Sequence, residues 1–295
     1  MLNPTSIMTE ALCADLRARY ARLFGEREPD FPVLLDTAAQ AALGHIANSD
    51  AAYHDVQHTI LVTSAGQEIL RGRFLVAEVS PEDWLHFTRA TICHDVGYVR
   101  GVCQGDTQDA FVTGDSGETV TPPRGSSDAV LTPYHVDRGK IFARETFGPF
   151  RFVDEERIAA AIEMTRFPIP QDDEHDDTDS EAGLVRASDL IGQLGDPNYL
   201  RKQTNLFHEF QETGAAEMLG YDDAADLAES YPAFYWSCAR PYLGDALRLL
   251  RLTQEGKQWI ANLQSSVFEL EHRQETYGPF RMARPTREAR AEARC

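Results

Sequence analysis

Residues 51–62 read "AAYHDVQHTILV". His54 and His58 lie four apart with Asp55 between them, and an apolar run follows. On a helix, four-residue spacing stacks side chains one turn apart. The stretch therefore predicts a helix beginning near His54 that turns two imidazoles towards one cleft. A histidine pair alone is a common surface feature, so its meaning depends on the partners the rest of the chain supplies.

Outward from this segment, helical signals dominate. "TEALCADLRARYARLFG" spaces Leu12, Leu16, Tyr20 and Leu23 along one face, with Gly25 as a C-cap. A second helix is expected over "FPVLLDTAAQAALGHIAN", and the third continues from His54 through "HTILVTSAGQEILRG". The fourth opens with Ser80 as N-cap, Pro81 at its first position and Glu82 and Asp83 in the first turn. Strand-like alternation is almost missing and no Asn-Gly hairpin signal occurs. The chain is expected to be all-α. Residues 1–50 would supply N-terminal helices, 51–200 the core, and 201–295 a C-terminal helical extension of the same domain. The closing "RPTREARAEARC" is expected to fray.

Two segments interrupt the helical pattern. Residues 101–133 are rich in Gly, Ser, Thr and Pro. A loop this long inside a compact domain is either a functional element, such as a lid, or a surface insertion. The acidic run "PQDDEHDDTDSE" at 170–181 lacks the order of a calcium loop and is expected to be solvated.

Composition narrows the function classes. With 47 acidic and 28 basic residues among 295, the formal charge is −19. Such a surface repels polyanions and argues against bulk nucleic-acid binding. A small anionic substrate would need a local cation. No window approaches the roughly 20 apolar residues of a membrane span, and "MLNPTSIMTEALCADL" has neither the basic start nor the apolar core of a secretory signal. Cysteines at 13, 93, 103, 238 and 295 show no paired spacing, which fits reduced thiols and a cytoplasmic location. A homodimer is compatible with this composition.

The chemistry gathers in three places. The helix from Ser80 carries Trp84, Thr88 and Thr91 towards the core and ends at His94-Asp95 in "CHDVG". An ionised carboxylate at a core-facing helix end needs a partner, and imidazole with carboxylate is a natural metal donor set. Asp189 repeats the pattern, because it falls within the apolar arc of Leu184, Val185, Leu190, Ile191 and Leu194. It needs either a cation or an ordinary salt bridge, with Arg186 the nearest candidate.

"YHDVQH", then "ICHDVG", then "ASDLIG" resembles the HD-domain superfamily of metal-dependent phosphohydrolases, over about residues 50 to 195. The first segment is similar to the HNxxH motif of class I cyclic-nucleotide phosphodiesterases, with Asp55 in place of asparagine. The resemblance implies an HD-type helical bundle that hydrolyses a phosphoester such as a cyclic or other nucleotide. It implies that His58, His94, Asp95 and Asp189 bind one divalent ion (zinc, manganese, iron or magnesium), with Asp95 able to bridge to a second. His54 and Asp95 would be the catalytic residues, His54 as proton donor to the leaving group. His135, Tyr98 and Arg166 would be substrate-binding candidates. Tyr98 stands where bacterial "HDxGK" proteins carry lysine, and no histidine appears in "AAAIEMTRFP". Two alternatives are a dinuclear iron oxygenase, which needs further histidines where His135 supplies one at most, and a non-catalytic metal-containing binding module.

Overall fold

The computed structural model describes residues 2–148 and 150–272. Among them are thirteen α-helices and a single two-stranded ribbon, so the chain is all-α. Helices α1 (Pro4–Phe24) and α2 (Phe31–Ile46) pair at the N-terminus. Asn3 caps α1, and Gly25, at φ 63°, closes it with a bond to Ala21 O, as its position predicts. Helix α2 then packs on α4 (Pro81–Cys93). The start of α4 carries the predicted capping box: Asp83 N donates to Ser80 Oγ at 3.1 Å, and Ser80 N to Asp83 Oδ2 at 2.8 Å.

Helix α3 (Val56–Phe74) is the central element. It begins two residues after His54, not at it. Asp55 is its N-cap and accepts from His58 N at 2.8 Å. His54 therefore precedes the helix, and the one-turn stacking expected for the histidine pair does not apply. Their rings still meet edge to face, with centroids 5.5 Å apart.

Across α3 lies α8 (Glu181–Leu194). A Cβ on Gly192 would fall 2.5 Å from Val62 Cα and 2.6 Å from Val62 N, which only glycine tolerates. Val62 is one turn beyond His58 and Gly192 almost one turn beyond Asp189, so this contact brings the two side chains together. A second close approach fixes the turn after α4. A Cβ on Gly97 would lie 1.9 Å from His135 O, which seats His94-Asp95 against the first turn of α5 (His135–Phe147).

The 101–133 segment is more ordered than a plain insertion. It contains the ribbon β1 (Phe111–Val112) with β2 (Thr119–Val120), and a 3₁₀ stretch over Asp128–Tyr134 leads into α5. The fully buried Arg138 of α5 holds it in place by donating to Gly97 O, Val99 O, Val112 O and both Asp106 oxygens. The acidic run at 170–181 contains one short helix, α7 (Asp173–Asp176), after α6 (Glu155–Glu163).

The extension supplies α9 (Tyr199–Thr213), α10 (Ala215–Leu219), α11 (Ala224–Phe234), α12 (Gly244–Leu250) and α13 (Gln254–Glu271). Helices α12 and α13 pack back on α3 and α8, α9 lies against the 128–134 stretch, α11 bridges α9 and α13, and all share one core with the rest. The arginine-rich end "RPTREARAEARC" lies outside the described residues. Cys13, Cys93 and Cys103 are free, buried thiols. No described helix is long and apolar enough to cross a membrane.

Overpacking a tight helix crossing costs about 1–3 kcal/mol. Gly192→Ala should lower stability by about that amount in denaturant titrations, and should also separate Asp189 from His58.

Candidate metal centre

Four donor atoms from three places in the chain converge. His58 Nε2 and His94 Nε2 are 3.4 Å apart. Each lies 3.1 Å from Asp95 Oδ2. Asp189 Oδ1 is 3.4 Å from His58 Nε2 and 3.5 Å from His94 Nε2. Donors bound at about 2.0–2.2 Å to one ion stand roughly 3.0–3.6 Å from their neighbours, the spacing seen here. Of the four residues predicted as ligands, His58, His94 and Asp95 form a buried group whose donor atoms all lie within 4.8 Å of one another and could hold a metal ion, and Asp189 reaches the two imidazoles from the other side.

Hydrogen bonding fixes what these atoms offer. His94 Nδ1 donates to Thr91 O at 2.9 Å. In the neutral ring this leaves Nε2 with its lone pair facing Asp95 and His58. Asp95 Oδ2 is buried and accepts no hydrogen bond. Lone pairs facing one another in a dry interior need a cation between them. The donor set thus fits a divalent ion. Two imidazoles with two carboxylates suit zinc, manganese or iron better than oxygen-preferring magnesium.

Protonation answers the same demand when no cation is bound. Burial opposes charging His58 and His94, but Asp95 and Asp189 override it and raise both above the usual histidine range. In return, and against the penalty of burial, the two histidines hold Asp95 well below the carboxylate range and Asp189 at about 2.

Arg186 does not serve Asp189 as the sequence suggests. Its guanidinium donates to His175 O at 2.6 Å and Asp177 O at 3.2 Å and lies over the Tyr242 ring. From Asp189 it points back towards the 175–177 turn, so the nearest cation in sequence is not the partner in space.

Beside the cluster stands a second assembly. His54 Nδ1 donates to Glu209 Oε2 at 2.6 Å, while Glu209 Oε1 accepts from Tyr53 N at 2.6 Å and His54 N at 3.3 Å. Tyr98 stacks between His54 and His135, with centroids 4.3 and 4.5 Å away, and its hydroxyl is 3.4 Å from His54 Nε2. His135 Nδ1 donates to Thr132 O at 2.5 Å, and its Nε2 lies 4.0 Å from Asp95 Oδ1. Burial lowers the basicity of His135. His54 and Tyr98 thus stand beside the cluster, and His135 at its edge.

Arg166 lines the adjoining cavity but is ion-paired with Glu163 and with Asp137, the latter at 2.9 Å. It carries little uncompensated charge. Glu209 was not singled out from the sequence, although an acid between Phe207 and Phe210 in a helix poses the same question as Asp189.

The cluster opens into a cavity of about 170 Å³. His54, Asp95 and Asp189 form part of its lining, together with residues from the C-terminal helices. The aromatic run at 231–244 is divided: Tyr231 and Phe234 line the cavity, Tyr235 is buried, and Trp236 is exposed with its Nε1 on Glu271.

Burial alone would depress His54, yet Glu209, helped by Asp95 and Asp189, raises it to about 9. A raised histidine stabilises the folded state fully below its unfolded value of about 6.5 and loses that contribution as pH rises through 9. In Glu209→Gln the His54 midpoint, read from ring-proton NMR shifts, should fall by more than one unit, and the stability gained on moving from pH 9 to pH 6.5 should shrink.

No curated protein matches the chain. The family model described as Npun_R2479-like matches residues 2–273, nearly its whole length, and the chain belongs to the Npun_R2479-like family.

Proposed function

We propose that this protein is a metal-dependent phosphoester hydrolase of the HD-domain type. The observation that carries the reading is the meeting of the His58, His94 and Asp95 donor atoms at metal-ligand spacing, with Asp189 against both imidazoles and a histidine held by a carboxylate beside them. A divalent cation bound there supplies Lewis acidity, which activates water and offsets charge on the phosphoryl oxygens.

The remaining roles belong to the chain's own residues. Glu209 holds the His54 ring by Nδ1 and keeps it protonated at neutral pH. The opposite nitrogen, Nε2, stands beside Tyr98 at the cavity and can give its proton to the departing oxygen. Tyr98, stacked between two imidazoles, fixes the plane in which that transfer occurs. Asp95 turns Oδ2 to the imidazole pair and Oδ1 towards His135, so one carboxylate faces two positions. His135 stands close enough to contact a phosphoryl oxygen or a second cation shared through Asp95. Arg166, saturated by Glu163 and Asp137, orders the cavity wall.

An iron oxygenase would require a second set of imidazoles. Among the described residues, His135 is the one further imidazole the fold brings to Asp95 besides His54. This favours hydrolysis. Phosphoesters form the substrate class, and nucleotides fall within it.

Elemental analysis should find a divalent metal in the wild-type protein, which should turn over bis(p-nitrophenyl) phosphate. His94→Ala should lose both while circular dichroism retains its helical signal. His54→Ala should keep the metal and lose about 10²–10⁴-fold in kcat. A wild-type protein with neither metal nor turnover after loading with zinc, manganese, iron or cobalt would refute the assignment.

A further inference from the structure

Cys238 is disulfide-bonded, whereas Cys13, Cys93 and Cys103 are free and buried. The chain holds five cysteines, so Cys295 is the one that remains as a partner. Cys295 lies outside the described residues. Cysteine spacing predicts reduced thiols throughout, and Cys238 departs from this because pairing depends on which distant segments meet.

The position of Cys238 connects the bond to the cavity. Helix α11 runs on through a π-helical turn, Tyr235–Ala239, which carries Cys238. One turn earlier, Phe234 lines the cavity and packs edge to face with the half-exposed Phe167. Trp236, on the same π-helical turn, donates from Nε1 to Glu271 Oε1 at 3.0 Å, and Glu271 ends α13. The residues after α13 therefore depart from beside the turn to which a bond at Cys295 returns them.

Charge indicates where those residues settle. Residues 273–294 carry six arginines and three glutamates, in a chain of formal charge −19. Asp222, Asp223, Asp226 and Glu229 make the start of α11 acidic, interleaved with Tyr221, Leu227 and Ser230 of the cavity lining. At helical rise this edge begins about 24 Å from Cys238. A segment of 22 residues with both ends at one place reaches up to about 36 Å outwards. Exposed ion pairs are individually weak, so fixing the second end matters: it confines the segment and raises its effective concentration at the edge.

We propose that Cys238 and Cys295 form a redox-controlled latch, which when closed holds the basic segment 273–294 on the acidic edge of α11 beside the cavity. Closure is thiol–disulfide exchange with a small-molecule disulfide such as oxidised glutathione. One protein thiolate attacks it and releases the first glutathione, and the other thiolate displaces the second. Two protein thiols are thereby oxidised, one disulfide is reduced to two thiols, and the two protons pass to the departing thiolates. The latch is independent of the chemistry at the metal centre.

The full chain, equilibrated with oxidised glutathione and then unfolded, should titrate three free thiols, against five after dithiothreitol. A chymotryptic map of the alkylated, oxidised protein should join residues 237–242 to 281–295. In hydrogen–deuterium exchange, amides of 222–229 should exchange about tenfold more slowly in the oxidised than in the reduced protein. Cys295→Ser should abolish that difference, and salt at about 0.5 M should shrink it. Five free thiols after oxidation, or Cys238 joined to glutathione or to a second chain, would overturn the pairing. A mapped Cys238–Cys295 bond with exchange at 222–229 unaffected by reduction would overturn the docking of the segment, as would a difference that survives Cys295→Ser.

Discussion

Everything at the site depends on how close α3 and α8 can come. Gly192 against the backbone of Val62 lets the two helices approach until His58 and Asp189 share one volume. Gly97 does the same for the turn after α4, pressing His94-Asp95 onto the carbonyl of His135. Neither contact adds much energy of its own, because glycine brings no side chain. Their effect is geometric: they set the distance at which burial and charge must be reconciled.

That reconciliation explains the electrostatics. Two carboxylates and two imidazoles are drawn into a dry interior, where an uncompensated charge is costly. The protonated state solves the problem by ion pairing, seen as raised histidines and depressed aspartates. A divalent cation solves it with the same atoms. The neighbouring His54 is tied by Glu209 to the C-terminal helices, so the extension takes part in the site.

The long 101–133 segment shows how an irregular stretch can be built on one buried ion pair. Arg138 satisfies three carbonyls and Asp106 at once, with neither side chain exposed by more than 1%. The segment is thereby fixed to α5, and its last turn presents Thr132 O to His135. What looks in the sequence like a loop without a partner becomes the platform for one of the site's imidazoles.

The sequence by itself determined the helical class, the capping of α1 and α4, and the four residues of the cluster. Periodicity and capping are local, and an acid inside an apolar arc is visible wherever the arc is. It did not reveal that α3 starts after His54, because Asp55 reads equally well as a helical residue or as an N-cap until the chain's direction is known. It could not find Glu209, which lies 155 residues from its partner His54, nor show that Arg186 turns from Asp189 towards two carbonyls. The cavity's lining was equally hidden, since Tyr231 and Phe234 read as core or as an association surface. Those choices belong to the tertiary structure, because they depend on which surfaces meet and how closely. That distance is set by backbone contacts at two glycines, which no single-segment pattern encodes.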